Sequence, residues 1–228
     1  MQAIDYAYQI LDIFYENDCE IYLAGGSVRD YLLYGDFDDF DFATPCTPVV
    51  VTTILDLEKY DKYSFKFGTV KANYQGQEIQ ITTFRKEGTY LDSRHPSSIK
   101  FIKNIEVDSL RRDFTINALY LDYSGKILDF HGGLDDLEKQ IIKTVGNPLE
   151  RIKEDPTRIL RALRFMLRLG FKLDSALEEV IKENISLITL ISKERIKMEY
   201  NKMLEYNSKE EILKVFKHFD FKLEEYLV

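Results

Sequence analysis

Asp39-Phe40-Asp41, within the run YGDFDDFDFAT, sets two carboxylates two positions apart around one apolar residue. In a strand, residues i and i+2 share a face, so the two acids stand side by side while Phe40 turns the other way. Adjacent carboxylates repel unless a cation lies between them. Mg²⁺ suits such a pair, because it binds one or two carboxylates together with substrate phosphates. Asp36 and Asp38 sit in the preceding loop and read as solvated. Upstream, the apolar IYLA runs into Gly25-Gly26, and SVRDYLL opens a helix with Ser27 near its N-cap. Glycines let a backbone approach a ligand, and a helix start favours an anion. The Gly25-Gly26 turn and the helix start at Ser27 therefore read as a phosphate cradle, although such a turn is also a common connector. The aspartates that follow tilt the balance toward the cradle.

Two further groups carry chemistry. Arg111-Arg112-Asp113 offers guanidinium forks that suit phosphates and a carboxylate that suits a ribose hydroxyl; the competing reading is an ordinary surface ion pair. In EDPTRILRALRFMLRLG, a helix starting near Asp155 would put Asp155 and Arg158 on one face at i and i+3. A carboxylate accepts from the exocyclic amino group of adenine or cytosine while an arginine donates to the adjacent ring nitrogen; uracil and guanine present a carbonyl instead. Alternatively Asp155 only caps the helix and Arg158 is an exposed partner. Arg158, Arg161, Arg164 and Arg168 recur as a basic stripe beside Leu160, Leu163 and Leu167. That stripe suits triphosphate or an RNA backbone, or else pairs with acids of the N-terminal part. Arg195 and Glu199 at i and i+4 read as an internal ion pair.

The elements that must position these groups fall into two regions. Up to about residue 145, strand and helix signals alternate: strand 20–24, helix 27–34, strand 39–43, helix 48–58, and strands 62–67, 69–74 and 78–84, with a hairpin turn at YQGQ. A helix near 108–117, strands 118–122 and 126–130 and a helix 133–139 follow. From Pro148 the strand signal gives way to helical periodicity. The expected organisation is an α/β head, 1–147, with a mixed sheet and flanking helices, followed by an all-α neck, 148–228. The net charge of −8 over 228 residues excludes indiscriminate polyanion binding and requires a local basic patch. No apolar run reaches the roughly 20 residues of a membrane span, and the N-terminus reads as an amphipathic helix rather than an export signal. Cys19 and Cys46 read as small core hydrophobes in a reducing cytoplasm.

Gly-Gly-x-Val-Arg-Asp followed by Asp-x-Asp resembles the head of the class II tRNA nucleotidyltransferase (CCA-adding) and bacterial poly(A) polymerase family, within the DNA polymerase β superfamily. TTFR at 82–85, YLDSRHP at 90–96, RRDFTINAL at 111–119, DFHGGLDDL at 129–137, the EDPTR segment and SKERIKME at 192–199 extend the resemblance over residues 20 to 205. It implies that Asp39 and Asp41 hold two Mg²⁺ ions for nucleotidyl transfer. It further implies that Gly25, Gly26, Ser27 and Arg29 hold the triphosphate, that Arg112 and Asp113 hold nucleotide and ribose, and that Asp155 and Arg158 select ATP and CTP without a nucleic-acid template. Arg161 and Arg164 are left for phosphate or RNA. The implied activity is addition of C and A to a tRNA 3′ end. Partial CC- or A-addition, poly(A) synthesis and a catalytically silent nucleotide- or RNA-binding module are the alternatives, and oligomerisation is left open. His95, in a loop mobile in the family, is given no role as a base. The chain departs from the family at Gln80, where Glu is common; members normally continue into body and tail domains that grip tRNA.

Overall fold

The computed structural model describes residues 2–88 and 98–227. The described residues separate into two compact units, one running from Gln2 to Leu134 and the other from Asp135 to Leu227. The YLDSRHP segment, with His95, lies outside the described residues.

The first unit runs α1 (Ala3–Glu16), β1 (Tyr22–Ala24), α2 (Gly26–Tyr34), β2 (Phe40–Thr44), α3 (Pro48–Ile54), α4 (Lys62–Phe65), β3 (Thr69–Tyr74), β4 (Gln77–Thr83), β5 (Arg85–Glu87), β6 (Ile99–Phe101), α5 (Ile105–Ser109), β7 (Leu119–Leu121) and β8 (Ile127–Asp129). Its mixed six-stranded sheet has the order β3-β4-β2-β1-β7-β8. β2 and β4 are parallel, with Asp41 opposite Gln80; the other pairings are antiparallel. Phe40, Phe42, Val70, Ile79 and Ile81 turn to one side, where they pack with Ile10, Leu11 and Phe14 of α1 in the main core. Because side chains alternate, Asp41, Gln80 and Lys71 are left on the other face. The register aligns these three in a row across β2, β4 and β3.

Three sequence expectations fail in this unit. In place of one helix near 108–117 the chain forms α5, which ends at Ser109, and a short 3-10 turn at Thr115–Asn117, where Asp113 accepts from the Phe114 N–H. Residues 62–67 do not form a strand; Asp61 accepts from the backbone N–H groups of Tyr63 and Ser64 and caps the short helix α4. Local capping overrides the aromatic-rich β pattern. Cys19 and Cys46 are not free thiols but form a disulfide, with a Cα–Cα separation of 6.3 Å. The antiparallel register of β1 and β2, Tyr22 opposite Ala43, brings the two flanks together.

α6 (Gly133–Glu138) straddles the limit between the units, and β9 (Ile141–Ile142), α7 (Pro148–Glu154), α8 (Thr157–Leu169), β10 (Lys172–Leu173), α9 (Ser175–Asn184), α10 (Lys193–Leu204) and α11 (Lys209–His218) follow. The second unit is helical except for the parallel pair β9–β10, which ties residues 141–142 to it, ahead of Pro148. Ile159, Leu160, Ala162, Leu163 and Phe165 of α8 are buried, as are Ile196 and Met203 of α10, which packs on it.

Candidate active site

Gly25 has φ of +70°, and its N–H donates to the Leu119 carbonyl at 3.0 Å, so the turn is fixed against the end of β7. A Cβ on Gly25 would lie 2.9 Å from Arg112 Nη1, so only glycine leaves room for that guanidinium over the turn. α2 begins at Gly26, and Ser27 does not cap it. The buried Ser27 hydroxyl instead donates to the Asp39 carbonyl at 2.5 Å and accepts from the Asp41 N–H at 3.2 Å. One hydroxyl thereby locks the start of the acidic strand to the glycine turn. Asp39 lies just before β2 and is exposed; Asp41 is half-buried, with Phe40 buried behind them.

A second layer of side chains holds Arg112. Its Nε donates to the Tyr120 hydroxyl at 2.8 Å, with its guanidinium carbon 4.5 Å from the ring centroid. Tyr120 donates to Asp108 at 3.0 Å, and Asp108, fully buried, also accepts from the Arg85 N–H and Arg111 Nε. Burial pushes the Asp108 carboxyl up, but the charges of Arg111 and Arg112 and the Arg85 N–H outweigh it and hold the group below the usual carboxylate range. Burial pushes the Tyr120 phenol up to about 12, so it remains a donor.

Asn117 joins the two motifs. Its side-chain carbonyl accepts from Arg29 Nη1 at 2.5 Å, and its amide donates to Asp113 Oδ1 at 3.2 Å. Arg29 itself is buried and paired with Asp30 at 2.7 Å. Asp113 also accepts from the Phe114 N–H at 2.8 Å. Gly25, Gly26, Ser27, Arg29, Asp39, Asp41, Arg112 and Asp113 are thus brought into one site, with Arg29 placed beneath the turn. Asp108 and Tyr120 carry no role in the sequence reading, and Asn117 reads there only as a cap or turn residue, left unassigned. Their signal there is only their position in and beside the RRDFTINAL segment.

Asp39, Asp41, Lys59, Tyr60, Lys71 and Gln80 line a cavity of about 570 Å³. Burial and the neighbouring Asp39 push the Asp41 carboxyl up, against the opposing charges of Arg112 and Lys71. That repulsion is what a bound dication relieves, so the pair fits Mg²⁺. Among the described residues no group of three or more metal-ligating side chains assembles. An ion held here would complete its shell with phosphate oxygens and water.

In the second unit the base-selecting pair is arranged differently from the sequence expectation. Asp155 is extended, with φ of −145° and ψ of 98°, and lies between α7 and α8. Pro156 disfavours helical geometry at the residue before it, so the helix breaks there. The Asp155 carboxylate accepts from the Thr157 N–H and hydroxyl at 3.0 and 2.5 Å. Arg158 is buried and donates to the Arg151 carbonyl at 2.5 Å and to Glu154 at 3.2 Å. The basic stripe is likewise partly internal. Arg164 donates to Glu199 of α10 at 2.7 Å and lies 4.4 Å from the Phe165 ring. Glu199 is thereby engaged across the helix pair by Arg164, with Lys202 at 3.6 Å. Arg161 lies 5.6 Å from the Phe165 ring, and Arg168 stacks 4.8 Å over Tyr206.

A mixed sheet with a glycine turn and two carboxylates at the start of the neighbouring strand defines a nucleotidyltransferase head. The chain belongs to the poly A polymerase head domain family, which matches residues 21–143, and so to the class II nucleotidyltransferases. Residues 170–221 match a second family described as a probable RNA and SrmB-binding site of polymerase A. The chain is 45% identical over 184 residues to the CCA-adding enzyme of Lactobacillus johnsonii, covering 81% of this chain and 46% of the relative. It is 40% identical over 214 residues to that of Bacillus pumilus, covering 94% and 53%. The crystal structure of the Bacillus stearothermophilus CCA-adding enzyme in complex with CTP matches with a TM-score of 0.82 at 35% identity, over 95% of this chain and 52% of that one. The chain spans about half the length of the curated relatives it matches. Among the described residues no helix is long and apolar enough to cross a membrane.

Proposed function

We propose that the chain carries the catalytic and base-selecting parts of a template-independent RNA 3′-end nucleotidyltransferase of the cytoplasm, adding C and A to tRNA from CTP and ATP. The observation that carries this reading is the Ser27 hydroxyl bound to both Asp39 and Asp41, which fixes a two-carboxylate strand to a phosphate-type glycine turn. The relatives named CCA-adding enzyme and the structure solved with CTP support the choice of substrate.

Asp39 and Asp41 would hold two Mg²⁺ ions, which when bound neutralise triphosphate charge and favour loss of the 3′-hydroxyl proton for in-line attack on the α-phosphorus. The start of α2 at Gly26 presents backbone N–H groups to the triphosphate, with the Arg112 charge over the turn and the Arg29 charge behind it. Asp113, oriented by Asn117, accepts from the ribose hydroxyl. Asp155 and Arg158 select the base by accepting from an amino group and donating to the ring nitrogen beside it. Both keep capacity for this, because a carboxylate has further lone pairs and a guanidinium further N–H groups beyond the bonds described. Arg164 acts through its ion pair with Glu199 as a positioning residue, and Arg161 serves phosphate or RNA.

The test is incorporation of labelled CTP, ATP, UTP and GTP, singly and in pairs, onto tRNAs ending before CCA, after C and after CC. Addition of C, C and A followed by termination is the expected result. A run of A would move the chain to the poly(A) polymerases, and C-only or single-A addition to the partial enzymes. Nucleotide binding without incorporation on any RNA would identify a silent module.

A further inference from the structure

The first unit has an exposed surface that the nucleotide site does not use. Tyr63, Phe67 and Phe101 are 68%, 40% and 42% exposed. The rings of Tyr63 and Phe67 lie 5.2 Å apart. Phe101 rests against the backbone next to Phe67: a Cβ on Gly68 would fall 2.5 Å from its ring, and Gly68 has φ of +86°. The Arg85 guanidinium donates to the Phe67 carbonyl at 3.0 Å, and Arg85 is the cross-strand partner of Phe101, so the three rings belong to one surface.

Lysines surround this surface. Residues 59–71 and 98–104 together hold six lysines and one acid, Asp61, in a chain whose net charge is −8. Asp61, which caps α4, stays an anion, and the lysines outnumber it six to one. Lys62 and Lys66 flank Tyr63 and Phe67 in and just after α4 and are exposed, whereas Lys86 and Lys100, paired across the β5–β6 ribbon, lie on the face opposite Arg85 and Phe101. Exposed aromatics set among cations are the arrangement that holds single-stranded nucleic acid, with bases stacked on rings and phosphates on lysines. The surface also continues the site. Lys59, Tyr60 and Asp61 form a wall of the cavity that holds Asp39 and Asp41, and α4 follows directly at Lys62.

We infer that the α4/β5/β6 surface docks the unpaired segment of an RNA acceptor just upstream of its 3′ end, so that the terminal hydroxyl reaches the cavity beside Asp41. The choice of RNA rests on the proposed nucleotidyl transfer; the surface itself calls for a polyanion with stackable rings.

The test uses the full chain and a fluorescein-labelled, unstructured 12-nucleotide RNA, with binding read by anisotropy across a salt series and incorporation of CTP measured in parallel. Tyr63→Ala is expected to weaken RNA binding about tenfold and to raise KM for RNA to match, with kcat and KM for CTP unchanged. The double variant Lys62→Gln/Lys66→Gln is expected to flatten the slope of log affinity against log salt by about 1.4, that is, about 0.7 for each phosphate of a single strand that no longer meets a lysine. All three side chains are exposed, and circular dichroism checks that the fold is kept. Unchanged RNA affinity and salt slope in both variants would overturn the inference. So would a dimer of the wild-type chain, seen by sedimentation, that Tyr63→Ala dissolves, because the surface would then cover a second copy. If the wild-type chain binds the RNA and the variants weaken that binding, but no nucleotide is incorporated on any RNA, the docking surface stands and the proposed function falls.

Discussion

In the head, side chains bond groups far along the chain around the site: Arg29 reaches Asn117, 88 positions away, and the Ser27 hydroxyl bonds the backbone of Asp39 and Asp41, 12 and 14 positions on. In the helical unit the candidate residues bond mainly to their own surroundings. Asp155 caps Thr157 and Arg158 pairs with Glu154, two and four positions away, while Arg164 alone of these reaches a second helix, at Glu199. The head therefore builds its site from long-range tethers, each fixing two motifs at once. The neck instead shapes its site by deciding how far each charged group is withdrawn from solvent. Under the proposed function the contrast predicts different sensitivities for the two regions: the rate of transfer for the head, the choice of base and the rigidity of the frame for the neck.

The contrast breaks most sharply at Asp41. Asp41→Ala should lower incorporation by at least about a thousandfold, the several kcal/mol that a catalytic ion supplies, with the fold intact by circular dichroism and discrimination among bound nucleotides retained. Residual activity near the wild-type level would remove the carboxylate pair from the mechanism. Next in size is Arg164→Ala, which leaves a largely buried Glu199 without its main partner. A stability loss of about 3 kcal/mol is expected by denaturant titration, with a smaller loss in kcat. Asn117→Ala should cost about 2 kcal/mol, because the Arg29 and Asp113 groups it joins lose a buried partner. It should also reduce kcat for both CTP and ATP together, whereas Arg158→Ala should change the ratio of CTP and ATP to UTP and GTP; an Asn117 variant that altered base choice alone would reverse the assignment of the two regions.

The smallest effect is one of pH. Burial and Asp39 raise the Asp41 pKa in the folded state, so ionising Asp41 costs stability above that value and nothing below the ordinary carboxylate pKa. Asp41→Asn should therefore be inactive yet melt slightly higher than wild type at pH 7, with the difference vanishing as pH falls through the ordinary carboxylate range. Asp108 has the opposite sign. Its lowered pKa contributes stability above the ordinary carboxylate range, and that contribution disappears as pH falls through its folded value.

The head was legible in the sequence where period and punctuation agree. The alternation of DFDFA, the glycine pair before SVRDYLL and the YQGQ turn all correspond to observed elements, β2, α2 and the β3–β4 hairpin. The expected strand at 62–67 was not legible as a helix, because the Asp61 cap is one residue competing with a run of aromatics. The side-chain tethers could not be read either. Asn117 and Tyr120 look like ordinary residues of a turn and a strand, and only the β1–β7 pairing, Ala24 opposite Tyr120, brings their segment beside Gly25. In the neck, a helix start read near Asp155 overlooked that α8 begins only at Thr157, after Pro156, and with it the inward turn of Arg158. Helical spacing places a charge on a face; it does not say whether a neighbouring helix waits there with an acid.

The bond between Cys19 and Cys46 encloses the glycine turn, Ser27, Arg29, Asp39 and Asp41 in one covalent ring of chain, closed across a sequence separation of 27. A protease cut anywhere inside that ring would open a peptide bond without parting the molecule. Nicked protein would run as a single species without reductant and as two fragments with it, so the cradle and the acidic strand stay joined through damage that would sever an unbridged chain.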